Sequence, residues 1–321
     1  MDELNALPLE DLYRDFSRSG HITRLLELAR DEDLGPEWER TGGDVTSAAY
    51  VPGYVRGTAH VVARGHGVAS GLACVPELMH LFKADCDLST RHRDGEPFAP
   101  GQTIATLDGS MRSILAIERT LLNLLSRLSG IASRTRLFVD RVQGTNAKIY
   151  DTRKTTPGLR LLEKYAVRCG GGASHRLGLY DAVLFKDNHL ASTAKLGSAP
   201  GQAASTLVNE LTRAVRLAKL EAPSGGLRFI EMEVDTLEQL REVLAAGGAG
   251  VEVILLDNMS TEQLAQAVKM RSELAPRVEL EASGGVTLET VGAIAATGVD
   301  RISVGSLTHG ATSVDLGLDV R

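Results

Sequence analysis

The sequence predicts an α/β protein: an open or irregular parallel α/β barrel of about six strands, preceded by a smaller α+β domain. Three observations carry this. From Ala147 onward, short apolar runs ending in polar clusters alternate with helical segments, the order that builds a parallel sheet. There are six clear runs, short of the eight that close a full barrel. No GxGxxG follows the first of them, which argues against a doubly wound dinucleotide fold.

The elements follow in order. Between Ser17 and Ala29, Ile22, Leu25, Leu26 and Leu28 stand at helical spacing. The stretch EDLGPEWERTGGDVT that follows reads as a loop rich in glycine and acids. From Val55 to Asp108 short strands alternate with turns; RDGEP and APGQ are turn signals beside CDLSTRH and TIATLDG, and a helix near Val75–Lys83 interrupts them. From Ser113 to Leu128, Ile114, Ile117, Leu121, Leu125 and Leu128 mark a helix with Arg119 flanking its apolar face and Gly130 as its expected stop. The strands then end in AKIYDTRK, AVLFKDN, RFIEMEVD, VEVILLDN, RVELEASGG and RISVGSL, with TLEQLREVLAAG, TEQLAQAVKMRSELA and TLETVGAIAATG as helices between them. The expected division is an N-terminal domain over 1–128, a barrel over 129–290, and a segment over 291–321 that completes the barrel or returns to the first domain. The stretch ASTAKLGSAPGQAAS (191–205) fits neither pattern and reads as an exposed insertion, or as a lid over a site.

Bulk properties exclude several functions. A formal net charge of −6 over 321 residues is the wrong sign for non-specific nucleic-acid binding. The N-terminus carries acids where a secretory signal carries cations, and no apolar stretch is long enough to span a bilayer. Cys74, Cys86 and Cys169 form no CxxC or metal spacing, and their odd number argues against a disulfide framework; reduced thiols in a cytoplasmic protein are expected.

In parallel α/β folds ligands bind where the strands end. Here the ends carry Arg153 and Lys154, then Lys186, Asp187 and Asn188, then Glu231 and Glu233, then Asp257 and Asn258, then Ser283, Gly284 and Gly285, and finally Gly305 and Ser306. His175 and Arg176 lie between the first two strands. Singly, each has a plain reading as a solvated lysine or a glycine turn; six clusters at successive ends define one rim. Between Asp151 and His189 seven Lys/Arg stand against four Asp/Glu, in an acidic chain. Arginine forks suit carboxylates. Bare N–H groups of SGG and VGS suit phosphate. Glu233 and Asp257 suit ribose hydroxyls or a hydrated Mg²⁺. A polycarboxylate and a sugar phosphate, with a metal, are the ligands inferred.

These residues also carry a resemblance. ERTLLNLLSRLSGIAS, DTRKTTPGLRLLEKYAVRCGGGASHRLGLYDAVLFKDNH, EMEVDTLEQL, ILLDN, LEASGG and GVDRISVGSLTHG are similar to the quinolinate phosphoribosyltransferases, over roughly Ala29–Leu318. The resemblance implies conversion of quinolinate and phosphoribosyl pyrophosphate to nicotinate mononucleotide, pyrophosphate and CO₂ with Mg²⁺, in NAD biosynthesis. It implies an N-terminal α/β sandwich, and a homodimer in which one subunit's N-terminal domain covers the other's barrel. Arg119, Arg153, His175, Arg176 and Lys186 stand at quinolinate positions, with Arg119 acting across the dimer. Lys154, Glu233 and Asp257 match the phosphoribosyl pyrophosphate side, and Ser283, Gly284, Gly285, Gly305 and Ser306 its phosphate loops. Lys154, Lys186, Glu233 and Asp257 are the expected catalytic set, Glu233 and Asp257 the expected metal ligands. The sequence departs at Cys169, where a small hydroxyl residue is expected, in the longer 191–205 stretch, and by extra residues in AAGGAGVEV.

Three rivals remain: a same-fold enzyme for another nitrogenous acid such as nicotinate, a Schiff-base aldolase using Lys186, and a phosphosugar-binding protein without turnover.

Overall fold

The computed structural model describes residues 3–41, 43–186, 207–223 and 226–321. The insertion at 191–205 and the strand-end residues Asp187 and Asn188 lie outside the described residues. In chain order, the helices of six or more described residues are α1 (Leu9–Ser17), α2 (His21–Leu34), α3 (Val45–Tyr50), α4 (Val75–Leu81), α5 (Met111–Arg141), α6 (Arg160–Cys169), α7 (Leu207–Leu220), α8 (Leu237–Ala245), α9 (Thr261–Leu274) and α10 (Val291–Ala296). The strands are β1 (Arg56–Ala63), β2 (Gly67–Val68), β3 (Cys86–Thr90), β4 (Pro97–Phe98), β5 (Thr103–Ser110), β6 (Lys148–Tyr150), β7 (Val183–Phe185), β8 (Ile230–Val234), β9 (Val253–Asp257), β10 (Glu279–Ser283), β11 (Arg301–Ser303) and β12 (Leu316–Val320). None of the described helices is long and apolar enough to cross a membrane.

The chain forms two compact units: Met1–Arg136 with Lys154–Gly172 and Ser306–Arg321, and Leu137–Arg153 with Ala173–Gly305. The first is built on an antiparallel sheet in the order β12-β1-β5-β3. Its core joins Leu12, Phe16, Ile22, Leu26 and Leu107 to the stripe Ile114, Ile117, Leu121, Leu125 and Leu128, all buried.

Two local expectations need correction here. The expected loop after α2 holds a one-turn helix at Trp38–Thr41 and ends in the start of α3, where the Asp44 carboxylate accepts from the N–H groups of Thr46 and Ser47. Gly130 does not stop α5, which runs on to Arg141. A Cβ there would stand 2.1 Å from the Thr312 carbonyl oxygen, so the glycine admits a crossing chain rather than ending a helix. The C-terminal segment ends in β12, which pairs antiparallel with β1, Ala59 opposite Val320 and Ala63 opposite Leu316. Its alternation of Leu316, Leu318 and Val320 was the available signal.

The second unit holds the expected six-stranded parallel sheet, in the order β6-β11-β10-β9-β8-β7. No described pairing joins the edge strands β6 and β7, so the sheet is open. Capping boxes start two of its helices: Thr236 with Gln239 for α8, and Ser260 with Gln263 for α9. Side chains alternate along each strand, and the two faces differ sharply. One carries Ile149, Ile302, Leu280, Ala282, Ile254, Leu256, Ile230, Met232 and Val234, all buried and apolar. By the pairing register the other carries Tyr150, Ser303, Arg301, Glu281, Glu231, Glu233, Ser283 and Asp257, with Val253, Leu255 and Leu184 as apolar members among them. Parallel sheets are usually apolar on both faces. This one has a polar face that is nonetheless buried in its lower part, where Glu231 and Glu281 are wholly inaccessible.

Candidate active site

At the C-terminal ends of β8 and β9, Glu233, Asp235 and Asp257 bring one carboxylate oxygen each within 4.8 Å of one another. Lys186, one residue past β7, sets its Nζ 2.5 Å from Glu233 Oε2. Asp235 was not among the expected residues. Its signal was parity: Glu231, Glu233 and Asp235 alternate with apolar residues and so share the polar face. Three hard oxygen donors, partly open to solvent, fit a Mg²⁺ that keeps several of its waters.

Arg153 and Arg176 form the second cluster. Partial burial, and next the positive charge of Arg153, hold the Arg176 guanidinium below its ordinary pKa; Glu231, Asp181 and Glu233 act the other way. Neither arginine has an ion pair among the described residues, and Nε of Arg153 is buried there without a hydrogen-bond partner. Two half-buried cations of like charge are costly unless an anion joins them.

The strand-end glycines have two different reasons to be glycine. Asn258, at φ 52, donates from Nδ2 to Asp257 Oδ2 at 2.8 Å. A Cβ on Gly284 would stand 2.1 Å from Asn258 Oδ1, so Gly284 makes room for that side chain. Gly285, at φ 58, faces open space. Its backbone N–H is not shielded by a side chain, the condition for an anion cradle. Ser283 closes the same corner by accepting the Asn258 N–H at 2.9 Å on its carbonyl.

His175 is almost fully buried, at 6 % exposure. Its Nε2 lies 3.0 Å from Glu231 and 3.4 Å from Glu281. The ring meets Tyr150 and Phe229 edge-on. Burial alone would push the imidazole pKa down; Glu281 and Glu231 more than reverse this and push it up to about 10. A hydrogen bond decides against the imidazolium. Nδ1 accepts the backbone N–H of Arg176 at 2.8 Å, which a protonated Nδ1 cannot do, so the ring is the neutral Nε2–H form. Burial, and after it the charge of Glu281, hold Glu231 above the ordinary carboxylate range. Against burial, His175, Ser303 and Arg301 hold Glu281 below it.

The remaining expected residues belong to the first unit or its border. Arg119 is exposed on α5. Lys154 is exposed, and its carbonyl accepts the Thr308 hydroxyl at 2.6 Å. Arg134 donates to both the carbonyl and the hydroxyl of Ser306. Gly305 follows β11 in the second unit. The cation count between Asp151 and His189 needs correction: Lys164 is fully buried, Arg168 donates to the carbonyls of Leu4 and Leu7, and Arg160 donates to Thr155. These serve the first unit's own structure. Of the seven, Arg153, Arg176 and Lys186 belong to the second unit.

Known proteins with this arrangement are numerous. Residues 44–129 match the family model for the N-terminal domain of quinolinate phosphoribosyl transferase, and residues 131–319 that for its C-terminal domain. The nicotinate-nucleotide pyrophosphorylase [carboxylating] of Mycobacterium leprae is 45% identical over 92% of this chain and 95% of its own. The probable enzyme of that name from Bacillus subtilis is 40% identical over 93% of each. The solved nicotinate-nucleotide pyrophosphorylase of Francisella tularensis superposes with a TM-score of 0.79 at 32% identity, over 99% of both chains. The chain belongs to the quinolinate phosphoribosyltransferase family.

Proposed function

We propose that Arg153 and Arg176 receive the two carboxylates of quinolinate at the C-terminal rim of the parallel sheet, with Lys186 beside them and phosphoribosyl pyrophosphate over Glu233 and Asp257. The observation that carries this is the half-buried pair of guanidiniums that repel each other and have no ion-pair partner among the described residues. A dianion there replaces repulsion with charge-assisted hydrogen bonds. A monocarboxylate such as nicotinate would leave one guanidinium unanswered. The aldolase reading lacks a free amine, since Lys186 is committed to Glu233.

In the reaction the ring nitrogen of quinolinate bonds to the anomeric carbon of the ribose as the bond to pyrophosphate breaks. Positive charge grows on the sugar, where the carboxylates of Glu233 and Asp257 favour it and hold the ribose hydroxyls. Lys154 takes the pyrophosphate side, with Ser283, Gly284, Gly285, Gly305 and Ser306 offering phosphate contacts. Glu233, Asp257 and Asp235 would hold a Mg²⁺, which would supply Lewis-acid stabilisation of the leaving phosphates. The alkylated ring is cationic, so it accepts the electron pair of the adjacent C–COO⁻ bond as CO₂ leaves, and that carbon then takes a proton. Arg119, exposed on α5, suits a contact supplied to a second copy in a homodimer. Three free thiols fit a cytoplasmic setting.

The test is turnover of quinolinate labelled in its 2-carboxylate, with phosphoribosyl pyrophosphate and Mg²⁺. Labelled CO₂ and nicotinate mononucleotide in equal amounts are expected, with nicotinate unable to replace quinolinate. Equal use of nicotinate would overturn the assignment of two arginines to two carboxylates.

A further inference from the structure

The segment that carries Arg176 is held from every side. Asp151 Oδ1 accepts the His175 N–H at 2.9 Å. Arg228 donates to the carbonyls of Ser174 and His175 at 2.9 and 3.0 Å, and to Asp181 at 3.1 Å. Asp181 in turn accepts the N–H groups of Leu177 and Gly178, both at 2.8 Å. The one backbone donor left at the centre of this segment is the N–H of Arg176, and the His175 ring takes it. A buried backbone N–H without a partner would cost free energy on the scale of a lost hydrogen bond. The ring cannot swing away, because its other edge lies against Glu231 and Glu281 and its faces and rim against Tyr150 and Phe229.

We propose that His175 is a positioning residue, not a substrate contact: with Nε2 shut in against Glu231 and Glu281, it holds the Arg176 main chain through Nδ1 and so sets the Arg176 guanidinium beside that of Arg153. Nδ1 is thereby occupied, Nε2 is enclosed by the two carboxylates, and little of the side chain remains to meet a ligand. The proposal rests on the quinolinate reading for what Arg176 binds, but not for the state of the ring. The physical reason for the arrangement is preorganisation. Two like charges drift apart unless their backbones are fixed, and a carboxylate pair is recognised only if the forks are already spaced for it.

Two variants isolate the Nδ1 bond, because both lose the Nε2 contact equally. His175→Asn places an amide oxygen where Nδ1 stands and still accepts the Arg176 N–H; His175→Leu fills similar space and accepts nothing. KM for quinolinate, KM for phosphoribosyl pyrophosphate and kcat are measured for each. The expected result is a quinolinate KM about tenfold higher in His175→Leu than in His175→Asn, with the KM for phosphoribosyl pyrophosphate alike in the two. Equal quinolinate KM values in the two variants, or a parallel rise in both substrates' KM, would overturn it. If His175→Leu does not fold, ¹⁵N NMR of the unaltered protein answers instead. A hydrogen-bonded, unprotonated Nδ1 between pH 6 and 9 supports the assignment; an imidazolium over that range refutes it. Failure of the quinolinate reading would look different: no turnover by the unaltered protein, with the ring tautomer as assigned.

Discussion

Each unit buries charge, and the two do it in opposite ways. In the first, Glu163 is wholly inaccessible yet fully answered. It accepts from Arg127 at 2.8 Å and from the N–H and hydroxyl of Thr156 at 3.0 and 2.9 Å. Arg127 spends its other donors on the carbonyls of Thr308 and Ala311, both at 2.8 Å. In the second, Glu231 and Glu281 have an imidazole within ion-pair distance but no aligned donor among the described residues, and Arg153 Nε has no partner there. Native proteins satisfy nearly all buried polar groups, so an unanswered guanidinium at a strand end marks a place kept for an anion, while the two carboxylates enclose His175. Saturation belongs to the structural motif, deficit to the site.

The sharpest way to break this contrast is one arginine from each side. Arg127→Ala strips a fully buried carboxylate of its cation, a loss of about 3–5 kcal/mol of stability for a pair of this kind. A Tm lowered by many degrees is expected, with the KM for both substrates unchanged in whatever protein folds. Arg153→Ala should do the reverse. It removes a group with no ion-pair partner among the described residues, so Tm stays within a degree or two. The quinolinate KM or kcat/KM worsens on the order of tenfold or more, the size of one charge-assisted bond. A destabilised Arg153→Ala with normal kinetics would reverse the assignment of roles.

A smaller effect is expected at Asp235. It lies at the exposed end of the carboxylate trio, so Asp235→Asn removes one of three oxygen donors and leaves the fold alone. The Mg²⁺ concentration for half-maximal activity should rise several-fold, with Tm unaltered. An unchanged Mg²⁺ requirement would confine the metal to Glu233 and Asp257.

Much of this was legible in the chain. The six strands each centre on a short stretch of apolar or alternating residues that breaks off in a polar cluster, so a strand's end can be read locally. Glu233, Asp257, Lys186 and the SGG corner therefore came from the strand-end rule alone. Other features depend on residues remote in sequence. Gly130 continues α5 because Thr312 comes against it, and nothing near Gly130 announces that. Arg168 and Lys164 look like rim cations until Leu4, Leu7 and the first unit's core claim them. His175 reads as a ligand because it adjoins Arg176. Only β8 and β10, arriving with Glu231 and Glu281, show that it faces inward.

The thiols give the mildest test, and they lie on the saturated side of the contrast. Burial above all, then Asp94 and Glu77, push Cys74 up to about 12. Half-buried Cys86 is pushed up to about 11, again by burial and then by Asp85 and Asp87. Cys169 is raised as well, by burial first and Asp94 second. A raised thiol pKa means less thiolate at any lower pH, so reactivity should be low at neutrality and return only as the pH climbs toward these values. At pH 8 the thiolate fraction of Cys86 is on the order of 0.1%, roughly a hundredfold or more below that of an ordinary thiol. Iodoacetamide should therefore label the folded protein far more slowly than the unfolded chain, with activity kept while labelling is slow. Fast alkylation of one thiol at pH 8, with activity lost in step, would place a reactive group in the unit that holds the saturated Glu163 motif, and the division between saturated structure and unsaturated site would fail.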